Sequence, residues 1–206
     1  MFSVTIIFST LLWLTVSNAL PAKHVQDLQV HAQTHWCSLL TQDQTRNYNG
    51  TCGNATDAVP FFAVNGGPMQ DYLATTRVGD MQIVIPQGFT FLGLTARVFT
   101  TQETSTVPMY MVHLVASNGD ISDHIYTIDQ GEYQALLEIG WIDQGIQAYV
   151  YPTQICGSVP WYAVYNAAST EHFLTTDVAT RDSFLAQAGW TDQGIVAYVL
   201  PPNCAE

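Results

Sequence analysis

The feature that most constrains this chain is an internal repeat. The segment Gly140 to Val150 returns almost unchanged at Gly189 to Val199, sharing Gly-Trp, Asp-Gln-Gly-Ile and Ala-Tyr-Val, and a worn copy runs from Gly88 to Val98. Upstream of each stands a second marker: Val59-Pro60-Phe61-Phe62, Val107-Pro108-Met109-Tyr110 and Val159-Pro160-Trp161-Tyr162. Between them lies a third, Asp71-Tyr72, Asp123-His124 and Glu171-His172, each closely followed by threonine. The same markers in the same order describe one supersecondary unit used three times, over about residues 59–100, 107–151 and 159–200.

The third copy reads most clearly. Trp161, Tyr162, Val164 and Tyr165 are bulky apolar residues typical of a strand. A turn from Asn166 to Thr170 and a short strand from His172 to Thr176 complete a hairpin. Thr176 or Asp177 suits a helix N-cap, with Arg181, Phe184, Leu185 and Ala188 on one face and Gly189 as the stop. A last strand, Gly194 to Leu200, places Ile195, Ala197 and Val199 on one face and Val196 and Tyr198 on the other. Each unit is therefore β-β-α-β, and the fold class is α+β, rich in β. Pro86 and Gly79 shorten or break the helix of the first copy. Single units of this size cannot bury a core, so the sequence predicts three repeats closed around a pseudo-threefold axis, each covering its neighbour's apolar face.

The rest of the chain sets its compartment and charge. Val4 to Val16 is almost unbroken apolar and ends at Ser17-Asn18-Ala19, the pattern of a signal peptide over residues 1–19. An extracellular, secreted chain starting near Leu20 is expected, with an N-terminal segment over 20–51 and the three-repeat domain over 52–206. His24, His31 and His35 would share one face of a helix in that segment, an amphipathic surface rather than a metal site. Five Lys and Arg face 17 Asp and Glu, so neither nucleic acid nor an anionic membrane is an expected partner. Cys37, Cys52, Cys156 and Cys204 form an even set behind a leader and read as two disulfides, with three possible pairings. The local pairing joins Cys37 to Cys52 and Cys156 to Cys204. The alternative joins Cys52 to Cys156, which both lie just before a Val-Pro start and become neighbours in a closed ring. The sequons at Asn49 and Asn54 mark exposed loop and are candidate glycosylation sites.

The three markers resemble the repeat of the DUF5648 family, a domain of unknown function in secreted fungal and extracellular bacterial proteins. Its unit looks like Val-Pro-Leu-Tyr-Arg-Leu-Tyr, then Asp-His-Phe-Tyr-Thr-Thr, a short helix, and Gly-Tyr or Gly-Trp leading to Glu-Gly-Ile-Ala-Xaa-Tyr-Val. Val159 to Tyr165, Glu171 to Thr176 and Gly189 to Val199 match it best, and the resemblance covers about residues 52–204. The family's arginine is replaced by Ala63, Val112 and Ala163, and its histidine, kept as His124 and His172, is Tyr72 in the first copy. If those residues form ligand sites, two remain. The resemblance implies a cysteine at the junctions of Cys52 and Cys156, favouring that pair, with Cys37 and Cys204 tying the ends together. Bacterial members joined to cell-wall or carbohydrate hydrolases imply an accessory role.

The chain has no Gly-x-Ser-x-Gly, no His-Glu-x-x-His, no phosphate loop and no dinucleotide fingerprint, so neither cofactor nor metal is expected. Adjacent residues on a strand point to opposite faces, so Asp123 with His124, or Glu171 with His172, cannot simply pair within one copy. The histidines are expected to donate a hydrogen bond that locks each hairpin against the next strand, and these four residues remain candidate ligand contacts. Trp141 and Trp190 are equivalent and fit either inward packing or stacking on a sugar face. The expected function is a secreted, non-catalytic binding module for a glycan or cell surface. The alternative is a hydrolase with an unfamiliar site.

Overall fold

The computed structural model describes residues 50–66, 71–117 and 121–202; Cys37, Cys204, Asn49 and residues 1–19 lie outside the described residues, as do His24, His31 and His35. The first unit is β1 (Val59–Gly66), β2 (Asp71–Thr75), α1 (Val78–Val84) and β3 (Phe89–Val98). The second is β4 (Val107–Val115), β5 (Ile121–Thr127), α2 (Gln130–Glu138) and β6 (Ile142–Val150). The third is β7 (Val159–Asn166), β8 (Glu171–Thr175), α3 (Val178–Leu185) and β9 (Trp190–Val199). Each unit forms a three-stranded antiparallel sheet with its first strand in the middle, ordered β2-β1-β3, β5-β4-β6 and β8-β7-β9.

The Val-Pro marker earns its recurrence in the core. The residue after each proline, Phe61, Met109 and Trp161, is fully buried. Opposite each stands an alanine of the third strand: Ala96, Ala148 and Ala197. The small partner lets the large side chain reach inward, where Phe61 and Trp161 meet at 5.5 Å and Tyr126 packs on Trp161 at 5.5 Å. One cluster thus draws on all three sheets. Burial of each such side chain stabilises by roughly 1.5–3 kcal/mol. No unit gains that alone.

The third strands also meet at their ends. Arg97 bridges to Leu200, Phe99 to Tyr149, and Tyr151 to Tyr198. Each bridge exchanges two backbone hydrogen bonds of 2.8–3.2 Å. Around them Ala58, Phe99, Tyr151 and Leu200 form a smaller buried cluster. Beside it Cys52 and Cys156 form a disulfide with Cα atoms 5.7 Å apart, joining the entrances of the first and third units.

The Asp-Gln-Gly marker has a local cause. Asp143 accepts a hydrogen bond from the Gly145 amide at 2.6 Å, and Asp192 from that of Gly194 at 2.8 Å. Gly145 and Gly194 sit at φ 69° and 84°, a backbone region that a Cβ disfavours. A bulge follows, because Trp161 pairs with Ala197 while Tyr162 already pairs with Ile195. That extra residue corrects the expected alternation: Ala197 and Val199 are buried, but Ile195 is thrown onto the exposed side.

The helices follow their caps. Asp129 and Asp177 cap α2 and α3, whereas Arg77 offers no side-chain cap to α1, which passes into a 3-10 turn over Ile85–Gln87 at Pro86. The third helix ends at Leu185, before the expected glycine stop, so Ala188 lies beyond it and is exposed. No helix among the described residues is long and apolar enough to cross a membrane.

Candidate functional site

The acidic residue of the third marker lies on each second strand, opening β2 and β8 and standing third in β5, and is buried: Asp71, Asp123 and Glu171. The next residue cannot reach its own neighbour's carboxylate, and it reaches another unit's instead. His124 of the second unit sets Nδ1 at 3.0 Å from Asp71 Oδ1 and 2.7 Å from Oδ2. His172 of the third unit donates from Nδ1 to Asp123 Oδ2 at 2.7 Å, and its backbone amide donates to Oδ1 at 3.0 Å. The first copy has Tyr72 in place of histidine, and there Asn65 Nδ2 donates to Glu171 Oε1 at 3.2 Å. Three side-chain ties therefore join units one and two, two and three, and three and one. Asn65 was invisible to the marker comparison because it comes from the middle strand.

Burial governs the charges of this belt. Desolvation pushes the Asp71 carboxyl up from its usual range, countered by His124 and reinforced by Asp123. Burial raises Glu171 as well, countered by the Asn65 bond, with Asp71 and Asp123 adding to the rise. Among the described residues no group of histidines, cysteines and carboxylates is arranged to hold a metal ion.

Outside the belt, the second and third units leave a cleft of about 310 Å³. It is lined by His172 and Leu174 of β8, by Asp129 and Glu132 at the entry to α2, and by Gln193 and Ile195 of β9. His172 Nδ1 is held by Asp123, which leaves Nε2 as the ring's other polar atom. Its ring is also stacked 4.4 Å from that of Tyr165. Thr127 Oγ1 donates to Glu132 Oε2 at 2.5 Å and accepts from the Asp129 amide at 3.0 Å. Asp129 Oδ1 caps α2 by accepting from the Gly131 and Glu132 amides. Among the described residues no lysine or arginine lines this cleft.

The strand registers give every wall residue a counterpart between the first and second units. There Tyr126 stands where Leu174 stands in the third copy, and its hydroxyl donates to Ala74 O at 2.7 Å and accepts from Ala74 N at 2.8 Å. Arg77 stands where Asp129 stands, bonding Asp80 Oδ2 at 2.9 Å and reaching across to Gln147 Oε1 at 3.3 Å. Between the third and first units, Tyr72 packs on Phe173 at 4.8 Å and Thr176 Oγ1 donates to Thr95 O at 3.3 Å. Tyr126 and Arg77 thus fill the first interface, and the corresponding positions of the second hold Leu174 and Asp129.

The sequence candidates are distributed accordingly. Asp123, His124 and His172 belong to inter-unit ties, as does Glu171, and only His172 lines the cleft. Trp190 packs on Phe184 of α3 at 4.5 Å, and Trp141 is half-buried; neither lines the cleft. Asn54 caps a 3-10 turn and donates to Asp57 Oδ2 at 3.1 Å. The cleft residues Glu132, Gln193 and Ile195 were not singled out from sequence. The signal for them was the column holding Ala74, Tyr126 and Leu174, which alone among the second-strand positions swings from very small to large.

Three antiparallel sheets tied by two histidine–carboxylate pairs and one asparagine–glutamate bond, with an open cleft between the second and third units, define a β-rich repeat domain with no recognisable catalytic constellation among the described residues. The family model for DUF5648, a domain of unknown function, matches residues 53–200, and the chain belongs to that family. No curated protein and no solved structure matches the chain.

Proposed function

We propose that this is a secreted, non-catalytic binding module whose ligand, a glycan presented on a surface, enters the cleft between the second and third units. One observation carries the reading: the space that Tyr126 fills in the first interface is left open in the second, because Leu174 brings neither the ring nor the hydroxyl. A ligand hydroxyl fits where the protein elsewhere supplies its own. The cleft has the volume of a small-molecule site and pairs apolar walls with a few polar groups. The leader, the disulfide and the sequons favour an oxidising, extracellular setting.

The same reading takes the three units as a closed ring about a pseudo-threefold axis. The cyclic order of the three ties and the three end-to-end bridges support it, since an open array would leave one of each unmade. The hydrolase alternative draws on Asp123 and His172, which have the geometry of an orienting carboxylate and a base at the cleft. Two hydroxyl residues line the cleft, and both hydroxyls are engaged: Thr127 donates to Glu132 and Tyr126 to Ala74 O.

The test uses the purified mature protein and its Leu174→Tyr variant on a glycan array and in a cell-wall pull-down. Leu174→Tyr copies the first interface and should fill the cleft without unfolding the chain. Wild-type retention that falls about tenfold or more in the variant supports the site. Equal retention of both removes it. A robust hydrolytic activity that disappears in His172→Ala would install the alternative.

A further inference from the structure

The first interface holds two groups that the second lacks, and together they describe a ligand. One is the Tyr126 hydroxyl, accepting from and donating to the β2 backbone at Ala74. The other is the Arg77 cation, lodged between Asp80 and Gln147. In the second interface the β5 edge at Tyr126 takes the place of Ala74, and Glu132 takes the place of Asp80. Asp129 replaces the cation itself, so a carboxylate stands where a positive charge stood.

We infer that the cleft between the second and third units selects an amine-bearing sugar, a hexosamine residue without its N-acetyl group. This rests on the cleft being the ligand site. A sugar hydroxyl bonds the backbone edge at Tyr126 as the tyrosine hydroxyl does at Ala74. Its ammonium lies between Asp129 and Glu132 and restores the missing charge. Each of those carboxylates spends one oxygen on the chain and keeps the other: Asp129 Oδ1 caps the helix and Glu132 Oε2 accepts from Thr127. Two further polar groups face the ligand: His172 presents Nε2, and Gln193, whose Nε2 donates one N–H to Thr191 at 3.3 Å, adds its carbonyl oxygen as an acceptor and a second N–H. Acceptors spread around a cleft call for a ligand with donors spread around a ring. A lysine side chain brings a single ammonium, and a phenolic amine too few donors. Leu174 and Ile195 supply an apolar surface for the C–H face of a pyranose. An N-acetyl group would remove the charge and two of the three N–H donors.

The experiment follows backbone amide shifts of residues 125–132 by NMR while the folded protein is titrated with defined probes. These are the tetrasaccharides of glucosamine, N-acetylglucosamine and glucose, together with pentalysine and tyramine. The glucosamine tetramer should bind at least about tenfold more tightly than the other four. Glu132→Gln, which keeps an acceptor for Thr127 but removes the charge, should reduce that preference to about threefold or less, while Glu138→Gln on the far end of α2 should leave it unchanged. Loss of preference in both variants alike would mean attraction to overall negative charge, and would overturn the inference. Equal binding of all three sugars, abolished by Leu174→Tyr, overturns the amine selectivity and leaves the cleft reading standing. No response to any sugar removes both. Stronger response to pentalysine or tyramine overturns the inference in favour of a peptide or a phenolic amine.

Discussion

The first and second interfaces are built from the same columns of the repeat, yet one is sealed and the other open. His124 and His172 correspond, as do Asp80 and Glu132, Gln144 and Gln193, and Ile146 and Ile195. The polar furniture of a site is present twice. What separates the two is a pair of fillers, Tyr126 and Arg77, against Leu174 and Asp129. In a repeat protein, then, the shared residues report how units hold together, and the residues that break the pattern report where something else is admitted. Aligning the copies to find what recurs locates the scaffold; aligning them to find what fails to recur locates the cleft.

The two ties differ in depth, and this gives the largest expected contrast. His124→Ala strands Asp71 where both side chains are at most 6% exposed. Removing one partner of a buried pair costs about 3–5 kcal/mol. His172→Ala acts where the ring is 17% exposed, and Asp123 keeps the backbone amide of residue 172. It should cost about 1–3 kcal/mol. Urea denaturation of both variants measures the gap, and equal losses would dissolve the distinction between the interfaces.

Opening the sealed interface is the converse experiment. Tyr126→Leu removes a hydroxyl with two backbone partners and should destabilise by about 2 kcal/mol. Combined with Arg77→Asp it recreates the second interface within the first. Calorimetry with the ligand of the natural cleft should then find two equivalents bound per chain instead of one. A stoichiometry unchanged in a folded double variant would show that the fillers are not what separates the interfaces.

The smallest effect concerns pH. Burial raises the Asp71 and Glu171 carboxyls above their ordinary values of 3.8 and 4.5. Between those values and the raised ones the folded chain binds more protons than the unfolded chain, so stability falls as pH rises through that window. Glu171→Gln keeps an acceptor for Asn65 and removes one of the two groups. Thermal melts over about pH 4–8 should show a shallower fall for the variant and a higher midpoint at neutral pH. An identical slope would mean that the third tie carries no share of the effect.

Much of the architecture was legible in the sequence because the recurring residues each answer a local demand. Val-Pro followed by a large side chain marks the buried middle strand, and the acid that follows the threonine marks the helix entry, where Asp129 and Asp177 cap α2 and α3. The histidines were also legible as locks, since strand alternation forbids pairing within a copy. The bulge itself was not: a one-residue slip in the ladder cannot be read from alternation, and it moved Ile195 from core to cleft wall. Nor was the cleft. It depends on side chains of one unit filling, or failing to fill, space against the next, and no column of a single unit states its neighbour's size.

The bond between Cys52 and Cys156 spans 104 residues and joins the doorway of the first unit to that of the third. Everything between them is a macrocycle. A protease that cuts the connection over residues 99–106 therefore linearises a loop without releasing a fragment. On a non-reducing gel the nicked molecule keeps its full mass, and it separates into two pieces only after a reductant is added. For a chain expected to work outside the cell, among hydrolytic enzymes, this makes the first cut in that segment covalently silent.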